Sequence, residues 1–491
     1  MNVADVIARH AESIPRAAAV IEGDRVLAFR EFDRAVWRAA AYLRRAGIGP
    51  GDVVGVTMGN TALHLVAGYA LARMGAVQLS LPLRESRPVR EGLARRFRAA
   101  ALLCESAEAA LPALAAISAD PAWLDPDDSP IERAVRAQGD GAGWKIAMTS
   151  GTTSTPKAVL QSHAMHIAWR ELNQAAVPVQ PDERYLAVVP LDFFVGFRLC
   201  MDLHWAGAAV VVGDAPRTVN ALFETIERHG VNYLYLTPSH LQQLLPRLPA
   251  DRPHLPGLRR LRTGSMTVNE ALRGDIMRRF TPNLVVAYGT NDVGSPFTLA
   301  DGDTLKKFPD SLGFPAPSVT VEVVDEAGRA LPAGETGFIR VRAPGMPRAY
   351  IDNPEASARA FRDGWFYPGD LGTKSPEGVL YFKGRADDLM NYDGIKIYPA
   401  EIEAALLEHP GVAEAAAFPL ASRKHQDLPA AAVVLRPGAS QDAVHAWSRE
   451  RLGTRAPAVL VALSALPRNA AGKVLKRELA ETIARRLASG G

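Results

Sequence analysis

The chain has 491 residues, 48% hydrophobic and 22% charged, enough apolar sequence for a sizeable core and a length that suggests two to four domains. Its 56 basic and 53 acidic residues leave a formal charge of +3, with no basic patch interleaved with aromatics, which argues against a nucleic-acid binder. The two cysteines, Cys104 and Cys200, lie far apart and outside any motif, so they are expected to be buried thiols in a reducing compartment rather than a disulfide or zinc framework.

The N-terminus, MNVADVIARHAESIPRAAAV, lacks a basic segment followed by an apolar one, and a signal peptide is not expected. No run of about 18 apolar residues is present, so no membrane span is predicted and a cytoplasmic location is the expectation. GDVVGVTM (51–58) reads as a strand and TALHLVAGYALARMG (61–75) as a helix closed by Gly75. The Ala-rich stretch 106–119 is expected to be helical. Residues 144–148 form an apolar run ending at a polar turn, TSGTTSTPK (149–157), after which a new element starts. AAVVVG (208–213), VNYLYLTP (231–238) and NLVVAYG (283–289) read as strands, with helices VNALFETIERHG (219–230) and SHLQQLLPRL between them. Such alternation predicts parallel sheets covered by helices.

Beyond about Ser311, VTVEVVDEAG and GETGFIRVRAPG read as antiparallel strands joined by turns. A smaller unit comes next, with a strand (IKIYP), a helix (EIEAALLEHPG), a strand (AAAVVLRP) and a basic terminal helix (VLKRELAETIARRLA). The helix reads as a solvated face rather than a membrane anchor. A boundary near Asp387 divides the chain into domains 1–386 and 387–491.

The turn at 149–157 has a phosphate-cradling composition. Backbone N–H groups of a Gly-, Ser- and Thr-rich turn form an anion nest, hydroxyls add donors, and Lys157 adds a compact positive charge. It does not fit GxxxxGK[ST], since Pro156 and Ala158 flank the lysine. On composition alone, a plain polar turn is an equal alternative.

Further stretches occur in a fixed order: GSMT (264–267), AYGTNDVG (287–294), DGWFYPGDLG (363–372), KGRADDLMNYDGIKIYPAEIE (383–403) and PRNAAGKVLKREL (467–479). Alone, Lys473 is a solvated lysine, Asp370 a turn residue, and Arg385 with Asp387 and Asp388 a surface ion-pair cluster. Together with the 149–157 turn, they resemble the adenylate-forming superfamily of acyl-CoA synthetases, peptide-synthetase adenylation domains and luciferases. Entry sequences LAFREFDRAV (27–36) and RAGIGPGDVVGV (45–56) extend the resemblance over nearly the whole chain. Ser154 and Ala158 stand where the family has Gly, Asn291 where it has Thr, and Asp292 where it has the Glu that binds magnesium.

The resemblance implies an α/β fold. A large N-terminal domain of parallel helix-covered sheets and a small β-barrel-like part is followed by a small mobile α+β C-terminal domain that rotates about Asp387. It implies activation of a carboxylic acid as acyl-AMP with release of pyrophosphate, then transfer to coenzyme A, with ATP, Mg2+ and coenzyme A as cofactors. Lys473 would bridge carboxylate and α-phosphate. Thr149, Ser150, Gly151, Thr152, Thr153 and Lys157 would hold the β- and γ-phosphates. Gly264, Ser265 and Met266 would lie beside the adenine, and Tyr288, Gly289, Thr290 and Phe382 would also bind the nucleotide. Asp370 and Arg385 would serve the ribose, and Asp292 the metal.

The acid pocket falls on VPLDFFVGFRLCMDLHW (189–205), where Phe193, Phe194 and Phe197 suit an aromatic or medium-size apolar acid, or simply pack the core. Asp192 instead suits an amino group on the acid. Arg198 is read as a surface or salt-bridge residue, with a second substrate carboxylate as the alternative. Coenzyme A is the expected acceptor and a separate carrier protein its alternative. A non-catalytic nucleotide-binding homologue is the reading from another class. The chain is expected as a monomer or homodimer.

Overall fold

The computed structural model describes residues 1–126, 139, 141–149, 156–216, 218–248, 255, 257–264, 268, 270–294, 296–393, 395–422, 426–469 and 472–489. They fall into two compact units, one built from most of Met1–Thr320 with Arg342–Gly364, the other from Val321–Val341 and Trp365–Gly491.

The first unit is built on two largely parallel sheets. In one, the order is Ala115–Ser118, Ala101–Cys104, Val53–Thr57, Val77–Ser80 and Gly143–Thr149, all parallel, with Lys157–Ser162 antiparallel at the end. In the other, Ala18–Glu22, Ala209–Val212, Arg184–Leu186, Tyr233–Tyr235, Arg260–Gly264 and Leu284–Gly289 run parallel.

The helices between strands begin and end where their caps dictate. Helix Ala62–Met74 starts at Thr61, whose side chain accepts from the His64 N–H, and stops at Gly75, with φ of 75°. Helix Val219–His229 repeats the device with Thr218 and Gly230. Every residue of Ala62–Met74 is buried, because this helix lies in the core that reaches from one sheet to the other.

The Ala-rich stretch 106–119 is not a helix. It holds only a short 3-10 turn, Ala107–Ala109, and the edge strand Ala115–Ser118. Pro112 denies a helix its backbone donor, and pairing with Ala101–Cys104 outweighs alanine's propensity. Cys104 and Cys200 are free and buried.

In the second unit Gly337–Arg342, Asp370–Lys374 and Leu380–Arg385 form an antiparallel sheet, with Trp365–Phe366 beside the first of them. A second sheet, of Met390–Tyr392, Ile395–Ile397, Val412–Ser422, Gln426–Leu435 and Val459–Leu463, carries helices Pro399–Leu407, Gln441–Leu452 and Lys476–Ser489. Residues 365–386, which the sequence puts in the larger domain, cluster with residues 387–491 instead. Among the described residues no helix is long and apolar enough to cross a membrane.

Candidate functional site

In the first unit, two neighbouring parallel strands end side by side, with Gly264 opposite Ala287. Carboxyl ends of parallel strands are where open α/β sheets bind ligands. A Cβ on Gly264 would stand 2.5 Å from the Ala287 carbonyl oxygen, so only glycine lets these backbones close up. Gly264→Ala is expected to destabilise the protein by about 1–3 kcal/mol, as overpacking of a buried position does; urea denaturation measures it, and an unchanged midpoint would contradict the close approach.

Tyr288 meets Phe297 edge to face at 5.4 Å between centroids. Beyond Gly289 the chain turns, the Gly294 N–H donating to the Thr290 carbonyl at 2.8 Å. The Thr290 hydroxyl is buried with no partner among the described residues, and Asp292 is 9% exposed. A carboxylate and an unpartnered hydroxyl at this turn are hard oxygen donors of the kind Mg2+ takes alongside substrate phosphates. No set of three or more metal-binding side chains gathers among the described residues.

Thr149 ends the strand Gly143–Thr149 and pairs with Lys157 on the neighbouring antiparallel strand. Lys157 is half-buried, its Nζ 5.3 Å from the Tyr350 ring centroid. Ser150, Gly151, Thr152, Thr153 and Ser154, with Ser265 and Met266, lie outside the described residues.

The second unit brings four predicted residues into one neighbourhood. Asp370 and Arg385 are cross-strand partners, and the Arg385 guanidinium donates to Asp370 Oδ1 at 2.6 Å and to the Pro368 carbonyl at 2.7 Å. Gly369 takes φ of 80° beneath that guanidinium, where a Cβ would come within 3.0 Å of it. Asp370 is buried at 5% exposure, whereas the Asp387 side chain is exposed and 3.9 Å from Arg385. Phe382 is half-buried on the same strand as Arg385.

Lys473 sits in a tight turn. The Leu475 N–H donates to Pro467, Asn469 Oδ1 accepts from the Lys473 N–H, and Arg468 donates to the Gly472 carbonyl at 2.7 Å. Its ammonium is held below the usual lysine range by crowding of its surroundings, then by the Arg385 guanidinium, against the pull of Asp388 and Asp370. The residue itself is exposed, so solvent also reaches the ammonium.

The four acid-pocket residues divide. Asp192 Oδ2 accepts from Arg84 at 2.6 Å, and the Arg84 guanidinium stacks 4.0 Å from the Phe193 ring centroid. Asp192 Oδ1 is buried without a partner among the described residues. Phe194 and Phe197 are core residues, and Phe197 packs so closely on Gly68 that a Cβ there would be 2.3 Å from its ring. Arg198 is not at the surface; it is 6% exposed and paired with Asp202 at 3.1 Å.

One buried group escapes a reading of the sequence. Lys145 lies in the strand before the polar turn, 1% exposed. Its Nζ donates to Gln78 Oε1 at 3.3 Å and stands 4.6 Å from the Phe197 ring centroid. Burial lowers its pKa to about 7, opposed by the Asp192 carboxylate. The one signal in the sequence is a lysine inside an apolar run.

The chain has relatives along nearly its whole length. The family described as AMP-binding enzyme matches residues 7–351, and the AMP-binding enzyme C-terminal domain matches 401–473. The interval between them contains Asp387. An indoleacetate–CoA ligase of Aromatoleum aromaticum is 30% identical, with 99% of each chain covered. A 2-succinylbenzoate–CoA ligase of Geobacillus kaustophilus is 31% identical, with 96% of each covered. The o-succinylbenzoate coenzyme A synthetase of Bacillus subtilis, solved with its acyl-adenylate OSB-AMP, is 26% identical with a TM-score of 0.87 over 96% of this chain and 97% of that one. The same enzyme is known with ATP and magnesium, at 25% identity, the same TM-score and 96% and 98% coverage.

Proposed function

The chain belongs to the AMP-binding enzymes, and we propose that it ligates an aromatic or medium-size apolar carboxylic acid to coenzyme A by way of an acyl-adenylate. An oxygen of the acid attacks the α-phosphorus of ATP, and the bond to pyrophosphate breaks. The thiol sulfur then attacks the acyl carbon, losing its proton, and AMP leaves. The observation that carries this reading is Lys473 in the field of Asp370 and Arg385.

The acid is already a nucleophile, so the first step needs charge cancellation more than proton transfer. Lys473 supplies it between the two anions that must meet. Asp370 accepts from the ribose hydroxyls, and Arg385 holds that carboxylate in place and neutralises it until the nucleotide arrives. Gly264, Tyr288 and Gly289 leave a flat approach for the base. Asp292 and Thr290 offer oxygens to Mg2+, which when bound shares and neutralises charge on the phosphates. Lys157 and the turn before it serve the β- and γ-phosphates. Asp387 is the hinge on which the C-terminal residues turn between the two half-reactions.

Aromatic acids are supported by the relatives that carry indoleacetate and 2-succinylbenzoate in their names. The test is ATP-dependent pyrophosphate release with benzoates, aryl-acetates, fatty acids, dicarboxylates and amino acids, each with and without coenzyme A. Acyl-CoA and AMP as products support the reading. Release without any coenzyme A product favours a carrier protein as acceptor, and no release with any acid overturns it. Asp370→Asn is expected to raise the KM for ATP at least about tenfold, since a hydrogen bond to a charged group contributes about 1.5–3 kcal/mol.

A further inference from the structure

Two helices of the first unit meet one face of a sheet. Tyr233 opens one parallel strand, and Arg262 lies on the neighbouring strand Arg260–Gly264. Arg170 and Asn173 come from helix His163–Ala176, and Asp202 from helix Phe194–Trp205. These five residues line one small cavity. Leu234 and Leu261, the alternates on the same two strands, pack in an apolar core instead.

The charges around the cavity do not balance. Arg170, Arg198 and Arg262 are all buried. Asp202 pairs with both Arg170 and Arg198, the second at 3.1 Å. Glu183, also buried, faces Arg260 at 3.5 Å. Among the described residues no carboxylate pairs with Arg262. Three guanidiniums against one carboxylate leave an excess of two positive charges. Guanidiniums keep their proton at neutral pH, and burial, then the Arg262 charge, lowers the Arg198 pKa only to about 10.

The donors and the space narrow what can compensate that charge. Arg262 Nε and both polar atoms of the Asn173 amide are buried and without a partner among the described residues. A buried charge is tolerable only when paired, and a water molecule supplies hydrogen bonds but no charge. The cavity volume is about 10 Å³, room for one small sphere. A carboxylate or a phosphate is too large for it, whereas a halide ion is a single sphere. The cavity also lies by the start of its strands, away from the carboxyl ends at Gly264 and Ala287, so it is no place for the reacting acid.

We propose that this cavity is a structural anion site that takes a halide ion, chloride or bromide, between Arg170, Arg262 and the Asn173 amide. The ion compensates one of the two excess charges and ties both helices to the sheet. Asp202, on the same wall, is engaged by Arg170 and Arg198, which leaves the remaining donors to the ion. Arg198 does not line the cavity and acts through the carboxylate it shares with Arg170. The site goes beyond the ligase reading and does not depend on it.

The test is thermal unfolding without ATP or acid, at fixed ionic strength, with chloride replacing gluconate. Wild-type Tm is expected to rise by about 1 °C or more for each tenfold rise in chloride above its dissociation constant, as binding to the folded state alone requires. Bromide should act like chloride. Arg262→Met should lose the dependence on halide, and Arg262→Lys, which keeps the charge, should keep part of it. A wild-type Tm indifferent to chloride and bromide overturns the proposal. A dependence unchanged in Arg262→Met overturns it too, because the anion then binds elsewhere.

Neither variant is needed for a second measurement, diffraction from wild-type crystals grown in bromide. An anomalous peak between Arg170 and Arg262 supports the site even if Arg262→Met does not fold. A water at that position, with no anomalous signal, overturns it.

Discussion

Lys473→Ala is expected to lower acid-dependent pyrophosphate release at least about a hundredfold, the scale of losing one preorganised charge partner of a transition state. The loss should fall on kcat for adenylation, with thioester formation from supplied acyl-adenylate largely kept. The reason is positional. The turn that ends in Lys473 is fixed by Asn469 and Arg468, and it sets the ammonium in the field of Arg385, Asp370 and Asp388. Asp387→Pro should do the reverse, sparing adenylation and slowing the thioester step, since proline at this exposed position, the proposed hinge, fixes φ. Single-turnover assays of each half-reaction read both variants. Wild-type adenylation in Lys473→Ala would remove that lysine from the mechanism.

Lys145→Met is expected to stabilise the protein, and the gain should depend on pH. Lys145 titrates near 7 in the folded chain, against an ordinary value of 10.5. Below pH 7 the lysine is charged in both states, and the native state carries the whole desolvation cost, on the order of 5 kcal/mol for such a shift. Between about pH 7 and 10.5 the unfolded chain binds the proton and the folded chain does not, so wild-type stability climbs with pH. The advantage of Lys145→Met should therefore be greatest at and below pH 7 and shrink towards pH 10. Urea denaturation at pH 6.5, 8 and 9.5 measures it, and a gap that stays constant would mean that Lys145 titrates normally. Asp192 keeps its pairing with Arg84 in the variant, so removal of the lysine does not orphan it.

Much of the fold was legible because its signals are local. Thr61 and Gly75 bracket one helix, Thr218 and Gly230 another, and β-branched runs separate them. The error at 106–119 shows the limit of local propensity, since a proline and a waiting strand edge overrode the alanines. The family was legible for a different reason, since stretches that resemble its motifs recur in one fixed order along the chain.

Burial and pairing were not legible, because they depend on which side chains meet across the core. The sequence offered Phe194 and Phe197 equally as pocket lining or packing, and the fold puts both in the core, Phe197 against Gly68 and Trp144 and Phe194 against Trp169. It offered Arg198 as a surface or salt-bridge residue, and the helix turns it inward into a salt bridge with Asp202. Nothing in the sequence singled out Arg170 or Arg262, and Lys145 showed only as a lysine inside an apolar run, yet the strands and helices around all three exclude water. By itself the sequence determined the family and much of the order of the elements, since each rests on spacing along one chain. Only the tertiary structure decided which charges lie buried and unbalanced, because desolvation is a property of the whole surroundings of a side chain and not of its neighbours in sequence.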